Sequence, residues 1–338
     1  MNDNYKKIFD SLKDGKSEKM GVNSKVMIVD AMNVFISAFS MIQHTNYFGN
    51  HVGGLSGFLR SLGSYITTIR PTRVILVFDG KGSSTNKKYI YPEYKANRGI
   101  TRITNWDIFE NQAQESEAIT NQIVRLIDYL KCLPVDLVSV DKVEADDVIG
   151  YLTNKFNNEV VIVSTDRDYL QLVSNKVTVY SPRKKTFYDQ TVVLKEYGVH
   201  PQNFLNQKVV IGDKGDNVPG VKGVSYKTFV KLFPEMVNEH RYTISDMMNK
   251  CEQETGNKYK DVLNFRYQIS INEKLMNLLE PNISEPDQEY LHLVIDGPNK
   301  SLHSMEFITL YNEDSLGASI LNVNQWLFDK FRTLSQYK

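Results

Sequence analysis

Val26-Met-Ile-Val-Asp30 sets four apolar residues before a terminal acid, and the pattern returns as Val74-Ile-Leu-Val-Phe-Asp79 and Val160-Val-Ile-Val-Ser-Thr-Asp166. Continuous β-branched runs of this length belong to central strands covered on both faces. Helical periodicity over 54–69, 107–130 and 145–156 fills the intervals. Strands alternating with helices predict an α/β fold, a mostly parallel central sheet with helices on both faces. Open sheets of this type place their sites beyond the carboxyl ends of the strands. A single Asp there serves as a turn former or helix cap, whereas three in one chain point to a shared site.

The chain has 338 residues, enough for one large domain or two modest ones, with 41% hydrophobic and 24% charged residues. No apolar run approaches the roughly 20 residues of a membrane helix, so a soluble, non-membrane protein is expected. Residues 1–24 read as a polar leader without the apolar core of a secretory signal. Cys132 and Cys251 form neither a disulfide framework nor a metal-ligand spacing, which fits a reducing cytoplasm. The catalytic α/β unit is expected over 25–190, a helical region over 191–280, and an extension of unassigned role over 281–338. A net charge of +0 weighs at first sight against a nucleic-acid binder, yet it can conceal an acidic metal pocket and a separate basic surface.

The acids cluster further. Glu144, Asp146 and Asp147 precede an apolar helical face; one acid suits a helix N-terminus, but three within four residues repel unless a cation compensates. Asp166 and Asp168 close a strand two residues apart, a spacing that turns both carboxylates to one side of an extended backbone. Asp213 and Asp216 stand in a Gly-containing loop. With Asp30 and Asp79, these nine carboxylates offer only oxygen, which favours Mg²⁺ or Mn²⁺ over Zn²⁺. A pair of such ions about 4 Å apart is a recurrent device for phosphodiester cleavage.

Between the second strand and the long helix lies Lys87-Lys88-Tyr-Ile-Tyr91-Pro-Glu-Tyr94-Lys95-Ala-Asn-Arg98, followed by Arg102 and Trp106. Cations interleaved with aromatics suit a single strand, with charges on phosphates and rings on bases. On a helix Lys95 and Arg98 would share a face and grip one phosphate, with Tyr94 stacked on an adjoining base. Gly220, Gly223, Lys227 and Thr228 lie just before or within another helical start, where backbone N–H groups approach phosphate closely.

In this order, the strand-end acids, Tyr-Pro-x-Tyr-Lys-x-x-Arg, Glu-Ala-Asp-Asp, Ser-Thr-Asp-x-Asp and Gly-Asp-x-x-Asp-Asn-x-Pro-Gly-Val-x-Gly resemble the flap endonuclease and 5′–3′ exonuclease family over about 25–235. In length and tail the chain is most similar to the ribonuclease H branch of T-even-like phages. The resemblance implies a 5′-nuclease (PIN-like) fold with a helical arch at about 81–115 and a helix–three-turn–helix. It also implies a Mg²⁺-dependent exonuclease and flap endonuclease that removes RNA primers in replication.

Asp30, Asp79, Glu144, Asp146 and Asp147 match the family's first metal region, and Asp166, Asp168, Asp213 and Asp216 the second. Lys95 and Arg98 match its phosphate-positioning pair, and Gly220 to Thr228 its duplex-holding turn, where K⁺ binds. Here Ser225 replaces the second Gly of the common Gly-x-Gly-x-Lys-Thr.

The implied partners are DNA and RNA–DNA hybrid with 5′ ends or flaps, bound by a monomer in the host cytoplasm, with a single-strand-binding protein or sliding clamp as protein partner. Gln325-Trp-Leu-Phe328-Asp-Lys-Phe331 has the Gln and spaced hydrophobics of a clamp peptide and equally those of an amphipathic helix. A catalytically inactive branched-DNA binder of the same fold is the alternative, and the complete acid set speaks against it. A haloacid dehalogenase-type phosphatase would want an acid at position 32, which is Met.

Overall fold

The computed structural model describes residues 21–99, 104, 105 and 107–337; Arg102, Trp106 and nearly all of the leader lie outside them. Six strands, β1 (Lys25–Asp30), β2 (Arg73–Val77), β3 (Asp136–Val138), β4 (Glu159–Val163), β5 (Val177–Ser181) and β6 (Thr186–Tyr188), form one sheet in the order β3-β2-β1-β4-β5-β6. All neighbours pair in parallel except β5 with β6, which are antiparallel. Ile28 sits level with Ile75 on one side and Ile162 on the other.

The strands are buried on both faces because their residues alternate between two cores. Val26, Ile28, Ile75, Val77, Val160 and Ile162 pack with the helix Ala145–Lys155 and the helices beyond residue 190. Met27, Val29, Val74, Leu76, Val161 and Val163 pack with the helices Ala31–Met41, Gly53–Ile69 and Gln112–Lys131. The last of these begins at 112 rather than 107, since Asn111 takes the cap and its side chain accepts from Gln114 N at 3.0 Å.

Residues 281–337 join both cores. The helix Glu285–Asp296 puts Leu291 and Ile295 into the first, while Ser304–Glu313 and Val323–Phe331 put Phe307, Leu327 and Phe331 into the second. Leu327 and Phe331 of the clamp-like motif are thereby consumed in packing, and Phe328 stays half exposed. Arg73, wholly buried at the start of β2, donates Nε to Asp136 Oδ2 at 2.9 Å and Nη1 to the carbonyls of Ile295 (2.8 Å) and Gly297 (3.0 Å). The tail is thus moored at the amino ends of the strands, away from the acids at their carboxyl ends.

Candidate active site

Asp30 is the last residue of β1, Asp79 lies two beyond β2, and Asp166 three beyond β4. Glu144 and Asp146 stand at the start of the helix after β3, and Asp213 and Asp216 in the loop after the helix Phe204–Ile211. All of these, with Asp168, line one cavity of about 530 Å³, with Lys95 and Arg98 also in its wall. Eight of the nine carboxylates singled out in the sequence therefore meet. The ninth, Asp147, faces a neighbouring cavity and pairs with the Lys87 ammonium at 3.0 Å. One residue further along the helix is about 100° around its axis, which aims Asp147 at Lys87, yet its carboxylate stays within 4.8 Å of those of Glu144 and Asp146, a group able to hold a metal ion.

Each acid is held by its surroundings. Asp30 accepts from Asn33 N (3.1 Å), Ser164 Oγ (3.1 Å) and Tyr169 Oη (3.2 Å), and burial pushes its pKa up to about 6. Asp79 accepts from Ala145 N at 3.0 Å and is raised, mainly by burial. Asp166 and Asp168 do not lie on extended backbone as their spacing suggested. Asp168 opens a 3₁₀ turn and donates its N–H to Asp166 Oδ1 at 2.9 Å, so the two converge through the turn. Burial, then the Asp166 charge, pushes Asp168 up to about 7.

Two buried lysines are built into the acid cluster. Lys87 touches Glu144 and Asp147 at 3.0 Å and Asp146 at 3.4 Å. Burial opposes ionisation of Glu144, but the ammoniums of Lys87 and Lys95 outweigh it and hold the carboxyl at about 2. Burial pushes Asp147 up to about 7 despite Lys87. Lys208, unremarked in the sequence, bridges Asp168 at 2.6 Å and Asp213 at 2.8 Å. Its signal was a lone lysine in Phe204–Ile211, whose residues up to Val210 are all buried. Ser164, Tyr169 and Asn33 carried no such signal, because their contacts with this cluster depend on the meeting of β1 and β4.

The basic segment is not the continuous helix on which Lys95 and Arg98 would share a face. A helix ends at Ile90, Lys95 takes a left-handed φ of 56°, and a 3₁₀ turn covers Ala96–Gly99. Lys95 pairs with Glu144 and Arg98 with Asp216. Lys95 N donates to Asp216 O at 2.8 Å, and Asn217 Nδ2 to Glu93 O at 2.8 Å, which ties this segment to the 213–217 loop. Tyr94 is 3% exposed, its hydroxyl donating to Glu144 Oε2 at 2.9 Å. Its ring has no free face for a base, and Lys87, likewise buried and spent on carboxylates, offers no surface to a phosphate; both residues position acids instead. Lys88 is exposed and Tyr91 half-buried.

Gly220 also acts internally. A Cβ there would lie 1.8 Å from Ile211 O, so its bareness lets the loop close on the helix end that presents Asp213. Gly223 has φ 75°, and Ser225 caps the helix Tyr226–Leu232, accepting from Thr228 N at 3.3 Å. Lys227 is exposed beside them.

With all nine carboxylates ionised, Lys87, Lys95, Arg98 and Lys208 leave five negative charges in excess. Two divalent cations would offset four of them and favour the ionised forms of the acids that burial raises. An all-carboxylate donor set, eight of its nine acids gathered on one cavity and with no sulfur or imidazole among them, fits hard divalent ions.

A family model described as the 5′-3′ exonuclease, N-terminal resolvase-like domain matches residues 25–198. The chain belongs to the 5′–3′ exonuclease family. The 5′-3′ exonuclease of Aquifex aeolicus is 30% identical over 283 residues, 83% of this chain and 91% of that one. That of Bacillus subtilis is 33% identical over 233 residues, 63% of this chain and 71% of that one. The flap endonuclease of bacteriophage T5, solved as a pseudo-enzyme-product complex with DNA and metal ions, shares the fold with a TM-score of 0.63 at 19% identity. That match covers 92% of this chain and 100% of the T5 chain. A second T5 5′-exonuclease structure, with divalent zinc bound, has a TM-score of 0.63 at 18% identity over 86% of this chain and 99% of that one. As a member of the 5′–3′ exonuclease family the chain is a nuclease, and its convergent strand-end acids are the metal-binding candidates. Among the described residues no helix is long and apolar enough to cross a membrane.

Proposed function

We propose that this nuclease is Mg²⁺-dependent and structure-specific, hydrolysing phosphodiesters near 5′ ends and flaps, with RNA primers on DNA among its substrates. The observation that carries the proposal is the convergence of eight carboxylates, from five separate stretches of chain, on one cavity with Lys95 and Arg98 in its wall. Asp30, Asp79, Glu144 and Asp146 would hold one ion, and Asp166, Asp168, Asp213 and Asp216 the other. When bound, Mg²⁺, or Mn²⁺ in its place, supplies Lewis acidity toward phosphate and water.

The chain's own groups do the positioning. Lys95 and Arg98 trade Glu144 and Asp216 for a non-bridging phosphate oxygen, which orients the scissile bond and frees both acids. Lys87 keeps Glu144 ionised and Lys208 keeps Asp213 ionised, and both fix the carboxylates they touch. K⁺ at the 220–228 turn, action as a monomer in the host cytoplasm, and a replication partner at the tail belong to the same proposal.

The test is Mg²⁺-dependent cleavage of a 5′-labelled flap duplex, a nicked duplex and an RNA–DNA hybrid. Asp166→Asn or Asp168→Asn should lower turnover roughly a hundred- to a thousandfold, as expected when one group that stabilises transition-state charge is lost, with the duplex still bound. Wild-type turnover in either variant would remove the assignment. Tight binding by the unaltered protein with no product under any divalent ion would favour the inactive branched-DNA binder.

A further inference from the structure

A second cavity of about 470 Å³ adjoins the metal pocket, sharing Asp166 with it, and its wall carries Arg167, Arg183 and Lys184 together with the hydroxyl residues Ser164, Thr165 and Ser181. A third, of about 620 Å³, holds Arg167, Thr165 and Lys214 and includes Asp166, Asp168 and Asp213. The three depressions thus run into one another around Thr165–Arg167 as a continuous groove. Sheet order fixes its direction. Glu144 and Lys95 stand at the β3–β2 end of the site, whereas Arg167 follows β4 and Arg183 lies in the turn between β5 and β6.

The cations of this shelf are not equivalent. Lys184 is neutralised by Glu196 at 2.6 Å and held by the Tyr188 hydroxyl at 2.7 Å. Away from the shelf, Arg73, Arg98 and Arg125 are each paired with carboxylates. Arg167 and Arg183 are exposed, and among the described residues neither forms an ion pair with a carboxylate. Two guanidinium forks without carboxylate partners stand in one concave wall beside the cutting site; Arg167 also bonds the Tyr226 side chain, and the donors left over suit bidentate contact with phosphate.

We propose that Arg167 and Arg183 form a phosphate subsite for the nucleotide adjoining the scissile bond, on the side of the metal pocket away from Lys95 and Arg98. The cut strand is then gripped on both flanks of the acids, which keeps its backbone against a pocket that would otherwise repel it. The inference rests on the nuclease reading above and deepens it.

The experiment compares the full chain with Arg167→Ala, Arg183→Ala and the double variant on a 5′-labelled flap duplex. It measures KM and kcat with Mg²⁺ and binding by fluorescence anisotropy in EDTA across a salt series. The double variant should raise KM about tenfold, and its slope of log affinity against log salt should fall by roughly one to two. Arg→Lys at both positions should restore part of each. Unchanged KM and salt slope in a double variant that melts like the parent would overturn the subsite. An unaltered protein that cuts none of the substrates would instead defeat the nuclease reading, so the two failures are distinguishable.

Discussion

Lys208 shows how a single side chain can tune this site. Its ammonium is all but enclosed and touches Asp168 and Asp213, so Lys208→Met leaves two carboxylates facing each other without compensation. Removing one partner of a buried ion pair costs about 3 kcal/mol or more. The loss should be large in EDTA near pH 8, where Asp168, whose pKa is pushed up to about 7, would otherwise be mostly ionised. It should shrink near pH 5, where protonation of Asp168 relieves the repulsion, and shrink again in excess Mg²⁺, which supplies the missing charge. Thermal melting of parent and variant under these three conditions checks it. An equal drop in all three would mean that Lys208 merely fills space. At this scale the acids were legible because a carboxylate after an apolar strand is conspicuous, while Lys208, Ser164 and Tyr169 became functional only through contacts across the fold.

Among elements, three of the six strands, β1, β2 and β4, were read to within three residues, because two-sided burial demands unbroken apolar runs. The short β3 and β6, and β5 at Val177–Ser181, carry no such run ending in acid and were not singled out. Helix ends were less readable, since Asn111 and Glu115 settle the start of Gln112–Lys131 by contacts of their own. Whether the 91–99 segment is helical was left open by the sequence, because cation spacing says nothing about the Asn217 and Lys95 hydrogen bonds that tie it to the 213–217 loop. The approach of that loop to the helix Phe204–Ile211 depends on Gly220. Gly220→Ala would press a methyl against Ile211 O, backbone against backbone, with no flexible group to yield. We expect about 1 to 3 kcal/mol of destabilisation, as for overpacking elsewhere, and weaker Mn²⁺ binding by calorimetry, because Asp213 and Asp216 move with the loop. Gly223→Ala, with open space beside it except for the Lys258 ammonium, should incur only the smaller cost of a left-handed alanine and leave Mn²⁺ affinity alone. If the two variants lose Mn²⁺ affinity alike, the packing argument for Gly220 fails.

On the scale of the whole molecule, the sequence suggested a catalytic unit, a helical region and an extension of unassigned role, and residues 281–337 turn out to pack directly on the sheet. Their weak pattern follows from the way they are buried: Phe307 reaches the core from one short helix, Leu327 and Phe331 from another, so no long amphipathic repeat appears. Truncation after residue 280 would expose the face that these side chains cover. Burial of three large apolar side chains is worth on the order of 6 kcal/mol, and Arg73 would lose its carbonyl partners at Ile295 and Gly297 while its guanidinium stayed beside Asp136. Against a total stability of roughly 5–15 kcal/mol for a typical domain, that loss is enough to abolish cooperative folding. The truncated chain should therefore lack a sharp thermal transition and near-ultraviolet circular dichroism, although every residue of the acid pocket is retained. A truncated protein that melts cooperatively within a few degrees of the parent and still cuts a flap duplex would show the tail to be an accessory moored to the sheet. The double variant Arg73→Met, Asp136→Asn separates the two contributions: it removes the buried ion pair as a whole while leaving the apolar packing, so a milder drop in melting temperature than truncation causes would assign most of the stability to Phe307, Leu327 and Phe331.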